Sequence, residues 1–441
     1  MNTQEQLSEL GIVYLPDHRM ALSIEKEKKR PVDTVVIPTM GSTTVDYHFW
    51  GDGNEYPQTI IEACKINSII PSAIAWKANQ IASGGLRPGY MKVDEATGEE
   101  TFIPYYKNEE IKSFMRMNNM FLYSIETLRD MYWWNMSAVD FGLDASRKKI
   151  VSVVVQDMSE VRFGRQNPKT GLKDKVYLNA NWPINSAEYI TPMPLIDPYY
   201  DVLGQVKNGS AFRYIYPLFL SVPKEKYEQN APWHSVIESK WLDVAAKIPK
   251  LKAALMDNQM MLKYVIHVPI SWWKWKFAEW DKLSQKERDE KQNTVLKTFN
   301  DLLTGVERAG KTLMLTFRDD QAKQEFSKWE IKALESRMES NVWIEDSEEA
   351  TRHILFALGL DGTLIGTAPG KGMGAGSGSD KRSAFNIFIQ TNKVYQETVC
   401  APLNFISQYN EWKGPGGEDI IWKFRNEFIS TQDTQSPQNR I

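Results

Sequence analysis

Residues 351–380 read Thr-Arg-His-Ile-Leu-Phe-Ala-Leu-Gly-Leu-Asp-Gly-Thr-Leu-Ile-Gly-Thr-Ala-Pro-Gly-Lys-Gly-Met-Gly-Ala-Gly-Ser-Gly-Ser-Asp. Eight of the chain's 26 glycines fall between Gly359 and Gly378, and no aromatic residue interrupts them. Segments with helical apolar spacing flank the run, so the stretch predicts helix, long glycine-rich loop, helix. A loop of that length inside a compact domain usually has a function. Upstream, Asp346 and Glu349 have capping-box spacing and predict a helix that starts there and runs to Leu360. Downstream, Ser379-Asp380 caps a helix reaching Trp412, with Phe385, Phe388, Tyr395, Val399, Leu403 and Ile406 on its apolar face. Pro402 is expected to kink it.

Glycines beside a lysine invite a phosphate-binding reading, and spacing decides it. A P-loop requires G-x-x-x-x-G-K-[ST] between a strand and a helix, so that backbone amides cradle phosphate and a hydroxyl holds Mg²⁺. Here Gly366 lies four residues before Gly370, and Gly372 stands where the hydroxyl is needed. The five histidines (His18, His48, His234, His267 and His353) lack H-x-x-x-H spacing, and neither G-x-G-x-x-G in the loop nor G-x-S-x-G occurs. No cofactor or metal is expected, and no catalytic constellation is legible.

Before the loop, residues 330–349 hold seven acids (Glu330, Glu335, Glu339, Glu345, Asp346, Glu348 and Glu349) against Lys332 and Arg337. Residues 260–334 predict a small β-α-β insertion: strands over 263–269 and 310–317 around a charged helix, Ser284–Leu303, whose Ser284 and Glu287 match a capping box. Its densest aromatic cluster is Trp272, Trp273, Trp275 and Trp280. A long helix is expected over His234–Gln259, kinked at Pro249. Its Lys240, Lys247 and Lys250 share a broad face that reads as a solvated flank or as one turned toward an anionic partner. Residues 1–233 read as one α+β region. It begins as an extended arm, with strand-like pieces at 11–15 and 34–38 and a charged run over 25–30. Helices are expected over 59–81, interrupted near Pro71, and from Asn108 to about Met136. After Lys149 come short strands, with Asn167-Pro-Lys-Thr-Gly171 as a hairpin turn.

Composition narrows the classes. At 441 residues and 42% hydrophobic, the chain can fill two or three cores. A formal charge of −3 argues against a surface built mainly to clamp nucleic acid. Cys64 and Cys400 cannot form a disulfide framework, which fits a reducing compartment. A polar N-terminus and the lack of any long apolar run predict a soluble protein made in a cytoplasm. Fifteen tryptophans read as packing and interface residues, a sugar-binding platform being the sharper alternative.

The order of elements resembles that of tailed-bacteriophage portal proteins over nearly the whole chain. Two segments resemble family sequence locally: Ile354-Leu-Phe-Ala-Leu-Gly-Leu-Asp-Gly-Thr-Leu-Ile-Gly366, and Asp52-Gly-Asn-Glu-Tyr-Pro57 through Ala82-Ser-Gly-Gly-Leu86. Many relatives have Val-Pro where Leu360-Asp361 stands here, and this loop is longer and richer in glycine. The resemblance implies an α+β, portal-like fold: arm and wing (1–233), first stem helix (234–259), clip (260–334) and second stem helix (335–360). A tunnel loop (361–380), a kinked helix returning to the wing (381–428) and a flexible tail (429–441) follow. It implies a non-enzymatic ring, typically a dodecamer, at one capsid vertex of the virion, assembled in the host cytoplasm with no membrane partner. Double-stranded DNA would pass through it without sequence specificity. The major capsid protein, the terminase large subunit and a head–tail adaptor would be its partners. The channel-loop candidates are then Gly366, Gly370, Lys371, Gly372, Gly374, Gly376 and Gly378, Lys371 being the only charge from Gly362 to Ser379. The acidic channel candidates are Glu335, Glu339, Glu345, Asp346, Glu348 and Glu349, and the four tryptophans are the clip-interface candidates. The rivals are a phosphate- or nucleotide-binding enzyme using the glycine-rich loop, and another non-catalytic virion connector.

Overall fold

The computed structural model describes residues 12–15, 20–23, 39–40, 43–44, 46–169, 171–259, 264–267, 270–304, 330–333, 340–366 and 378–429. The expected strands over 34–38 and 310–317, the charged run 25–30 and the tail from residue 430 lie outside the described residues. The chain divides into two compact units, Met1–Leu242 with Ala350–Ile441, and Asp243–Glu349.

In the first unit, β1 (Ile12–Leu15) pairs with β2 (Met20–Ser23), and β3 (Thr39–Met40) with β4 (Thr43–Thr44). Helices α1 (Tyr56–Lys65) and α2 (Ile69–Ala82) follow. The break precedes Pro71, which sits in the first turn of α2, where a missing N–H breaks no helical hydrogen bond. After them, β5 (Leu86–Val93) and β6 (Glu100–Pro104) form an antiparallel pair. The single helix expected from Asn108 is two, α3 (Glu109–Met117) and α4 (Met120–Trp134). Two asparagines explain the division, because short amide side chains compete with the helix for backbone groups. Asn118 donates from Nδ2 to the Phe114 carbonyl at 2.9 Å and accepts from Val153 N at 2.9 Å, while Asn119 accepts from Leu122 N at 3.0 Å.

Strand β7 (Met136–Leu143) leaves α4 through Asn135, which adopts φ 61°. It is followed by β8 (Ile150–Gln156), β9 (Val161–Phe163), β10 (Lys175–Leu178), β11 (Thr191–Pro194), α5 (Val202–Asn208) and β12 (Arg213–Phe219). Two antiparallel three-stranded sheets result, β12-β7-β8 and β11-β10-β9. The hairpin turn expected at Asn167–Gly171 joins β9 to β10, with Gly171 at φ 73°. Central β7 is buried almost throughout. Its one carboxylate, Asp140, is 3% exposed and is held by Arg213 and by Gln156 at 3.0 Å, as a buried charge requires.

The helix expected to start at His234 is broken. Helix α6 (Ser235–Glu238) stops at Lys240, whose φ of 68° is left-handed, and α7 (Trp241–Gln259) starts afresh and continues through Pro249. In the second unit, β13 (Tyr264–His267) pairs antiparallel with β14 (Glu330–Ala333), and α8 (Ile270–Lys276) and α9 (Gln285–Thr304) lie between them in sequence. The Ser284–Glu287 capping box is present, with Ser284 N and Oγ both 2.8 Å from Glu287 Oε2.

Helix α10 (Ser340–Ala357) begins six residues before the expected Asp346. Beyond the loop, α11 (Gly378–Thr391) and α12 (Lys393–Tyr409) replace one kinked helix, and the break lies at Asn392 while α12 runs on through Pro402. Thr391 Oγ1 and Asn392 Nδ2 both donate to the Phe388 carbonyl, at 3.0 and 2.7 Å, and so end α11. Phe405 of α12 stacks on Phe141 of β7, with centroids 5.6 Å apart. The last strand, β15 (Ile421–Phe424), adds to the edge of β5. Gly84 permits that seam, because a Cβ there would sit 1.9 Å from the Arg425 carbonyl oxygen.

Candidate functional site

The two ends of the glycine-rich loop are built in detail within the first unit. Helix α10 ends in a Schellman motif: Leu360 N donates to the Leu355 carbonyl and Gly359 N to the Phe356 carbonyl, each at 3.0 Å. Gly359 takes the left-handed position at φ 61°, which a side chain would disfavour. Leu360 and Leu355, at the two positions where this cap usually makes an apolar contact, are both buried. The Leu358 carbonyl remains, and Lys77 Nζ of α2 donates to it at 2.7 Å. A cation there also meets the negative end of the α10 dipole.

Lys77 is 7% exposed, and burial pushes its ammonium down to about 8, so it remains charged at neutral pH. Its Nζ also lies 4.3 Å from the centre of the Tyr132 ring, a cation–π contact in a dry site. Tyr132 in turn donates from its hydroxyl to Asn392 Oδ1 at 2.7 Å and packs against Tyr395 at 4.8 Å. Burial holds that hydroxyl well above the ordinary tyrosine range, so it stays a donor. The neighbouring Trp76 packs against Phe388 of α11 at 5.1 Å. Between these groups lies a cavity of about 190 Å³, lined by Lys77, Tyr132, Trp233, Gly359, Thr391 and Asn392 among others. Nearby, α7 and α10 meet where Trp241 stacks on His353 at 4.1 Å.

Past this anchor, Asp361 caps a short turn at Gly362–Leu364 by accepting from Thr363 N and Oγ1 at 2.8 and 2.7 Å. Gly366 has φ 77° and Gly378 opens α11. Gly370, Lys371, Gly372, Gly374 and Gly376 lie outside the described residues, as do Glu335 and Glu339. The other acidic candidates share α10: Glu345, Glu348 and Glu349 are exposed and Asp346 is half-buried.

The four tryptophans expected at a clip interface divide. Trp273 and Trp280 are buried and stack at 5.3 Å, with Phe277 alongside and Arg288 over the Trp280 ring. Trp272 is half-buried and meets Trp273 edge-on, whereas Trp275 is 61% exposed on the outer side of α8.

The anchoring residues Lys77, Tyr132 and Asn392 were absent from the sequence-derived candidates. One signal existed: Lys77 is the sole charge in the apolar run Ile69–Ala82. Among the described residues no group of His, Cys, Asp and Glu could hold a metal ion, and no helix is long and apolar enough to cross a membrane.

No family model and no curated protein matches the sequence. Solved structures do. A chain in the neck of an empty gene transfer agent (GTA) particle, computed with C6 symmetry, is similar at a TM-score of 0.52 and 13% identity, over 83% of this chain and 84% of that one. A chain in the virion of the native particle gives 0.50 at 13% identity over the same shares. The chain shares the α+β fold of these GTA chains. An HK97-family phage portal protein from Corynebacterium diphtheriae is also similar, with a TM-score of 0.29 at 11% identity, over 75% of this chain and 88% of that one. In element order, the loop lies between α10 and α11, and the pair β13–β14 falls in sequence between α7 and α10.

Proposed function

We propose that this chain is the portal subunit of a tailed-phage-type virion: a non-enzymatic ring, a dodecamer by its family resemblance, at one capsid vertex. DNA would enter through it during packaging and leave through it during ejection. The observation that carries the reading is the extent of the fold likeness, 83% of this chain on 84% of a GTA neck chain. In this reading α10 is the second stem helix and the segment between Leu360 and Gly378 is the tunnel loop. Exposed Glu345, Glu348 and Glu349 would turn toward the channel, with Glu335, Glu339 and Asp346 on the same acidic run. They would repel phosphate and keep DNA from being held, since each phosphate contact adds affinity. Copies of Lys371 would supply one weak basic ring, flanked by Gly366, Gly370, Gly372, Gly374, Gly376 and Gly378. Residues 260–334 would form the clip that docks the terminase and then a head–tail adaptor, with Trp275 its most exposed aromatic anchor.

Electron microscopy of the purified protein tests the core of the proposal. Rings with a central channel wide enough for duplex DNA are expected, and a uniform population of compact monomers would refute it. The Lys371 assignment is tested separately: Lys371→Glu should alter DNA packaging or retention with rings intact, and wild-type packaging would remove it.

A further inference from the structure

The glycine-rich loop has two flanks that are distant in sequence, Leu358 before it and Phe388–Asn392 after it, and both are tied to one turn of α2. Trp76 and Lys77 are adjacent residues, so their side chains leave the helix about 100° apart. Trp76 reaches Phe388 on one flank, and Lys77 reaches the Leu358 carbonyl on the other. A second link closes the circuit, because Tyr132 lies over Lys77 Nζ with its ring and holds Asn392 with its hydroxyl.

The cavity of about 190 Å³ is lined by Lys77, Tyr132, Leu358 and Asn392 among others. The flanks are joined beside it by the Lys77 hydrogen bond, the Tyr132 hydroxyl and two ring contacts, while the turn Gly362–Leu364 also packs against α11. Polar links of this kind are either made or broken, which suits a two-state coupling better than a graded one.

We infer that Trp76, Lys77 and Tyr132 form an interlock that makes the end of α10 and the α11–α12 break shift together. Lys77 is the positioning residue at its centre. Loosening one flank frees the other. The inference concerns a single folded chain and does not depend on ring assembly.

Amide hydrogen exchange on the full-length chain tests it, with variants that touch one flank and readouts on the other. Trp76→Leu and Phe388→Leu remove only the α11 contact, yet each should speed exchange at the Gly359 and Leu360 amides by about tenfold. Lys77→Met removes the α10 hydrogen bond together with the cation–π contacts to Tyr132 and Tyr395, and should speed exchange at the Asn392 and Gln396 amides to a similar degree. Lys77→Arg, which keeps a donor for the Leu358 carbonyl, should restore most of that protection. The β7 amides serve as the internal reference and should not change. Effects confined to the mutated flank would overturn the interlock. So would an equal rise at β7, because that is global loosening.

Discussion

Lys77 makes a pH prediction whose size follows from its burial. Its ammonium titrates near 10.5 when unfolded and is lowered to about 8 in the fold. Between those values the unfolded chain binds the proton that the folded chain has released, so stability rises with pH across this window. At 1.36 kcal/mol per pH unit, the folded state carries a cost of about 3 kcal/mol below pH 8 that disappears by about pH 10.5. The neutral amine can still donate to the Leu358 carbonyl, so the anchor survives deprotonation. The test compares wild type with Lys77→Met by urea unfolding, followed through tryptophan fluorescence, at steps from pH 7 to 10.5. All other titrations are common to both proteins and cancel in the difference. Wild type should gain about 3 kcal/mol on the variant over the range. Parallel profiles would refute the dry, charged site that the geometry describes.

Other perturbations address separate parts of the chain. Gly359→Ala should cost about 1–2 kcal/mol by forcing a Cβ into the left-handed region, read as a fall in the unfolding midpoint. His234 accepts from the Tyr56 hydroxyl at 2.9 Å, donates to the Trp133 carbonyl at 2.9 Å and is lowered by burial to about 4. The unfolded imidazole takes up its proton first as pH falls, so stability should drop by about 3 kcal/mol between pH 6.5 and 4, and His234→Gln should flatten that acid limb. Trp280→Ala should destabilise the second unit by about 3–5 kcal/mol, whereas Trp275→Ala should leave its melting within about 0.5 kcal/mol and weaken adaptor or terminase capture in a pull-down.

Much of the architecture was legible because it rests on local signals. Apolar periodicity placed α2 and α12, the Ser284–Glu287 capping box placed α9, and the Asn-Pro-Lys-Thr-Gly turn placed the β9–β10 hairpin. The errors cluster where a polar side chain overrides the pattern. Prolines 249 and 402 are expected to kink their helices, and both helices continue through them. The actual breaks lie at Lys240, at Asn118–Asn119 and at Asn392. Asn118 and Asn392 also have tertiary partners, Val153 and the Tyr132 hydroxyl, and such partners are invisible in one dimension. The same reason hid Lys77, whose role depends on a carbonyl 281 residues away. Sequence spacing marks the tryptophan cluster, but only the fold separates the buried pair Trp273 and Trp280 from exposed Trp275.

The division of the first unit into residues before 243 and after 349 bears on how the protein is made. Strand β5 has β15 as its partner, and α4 leans on α12 through the Tyr123 hydroxyl and the Val399 carbonyl. On the ribosome, β5 must wait for about 330 more residues, roughly 15–65 s at about 5–20 residues per second. Throughout that interval the nascent chain presents an unpaired strand edge and an uncovered apolar helix face, and both favour association with other chains. Expression at reduced temperature should therefore raise the soluble yield.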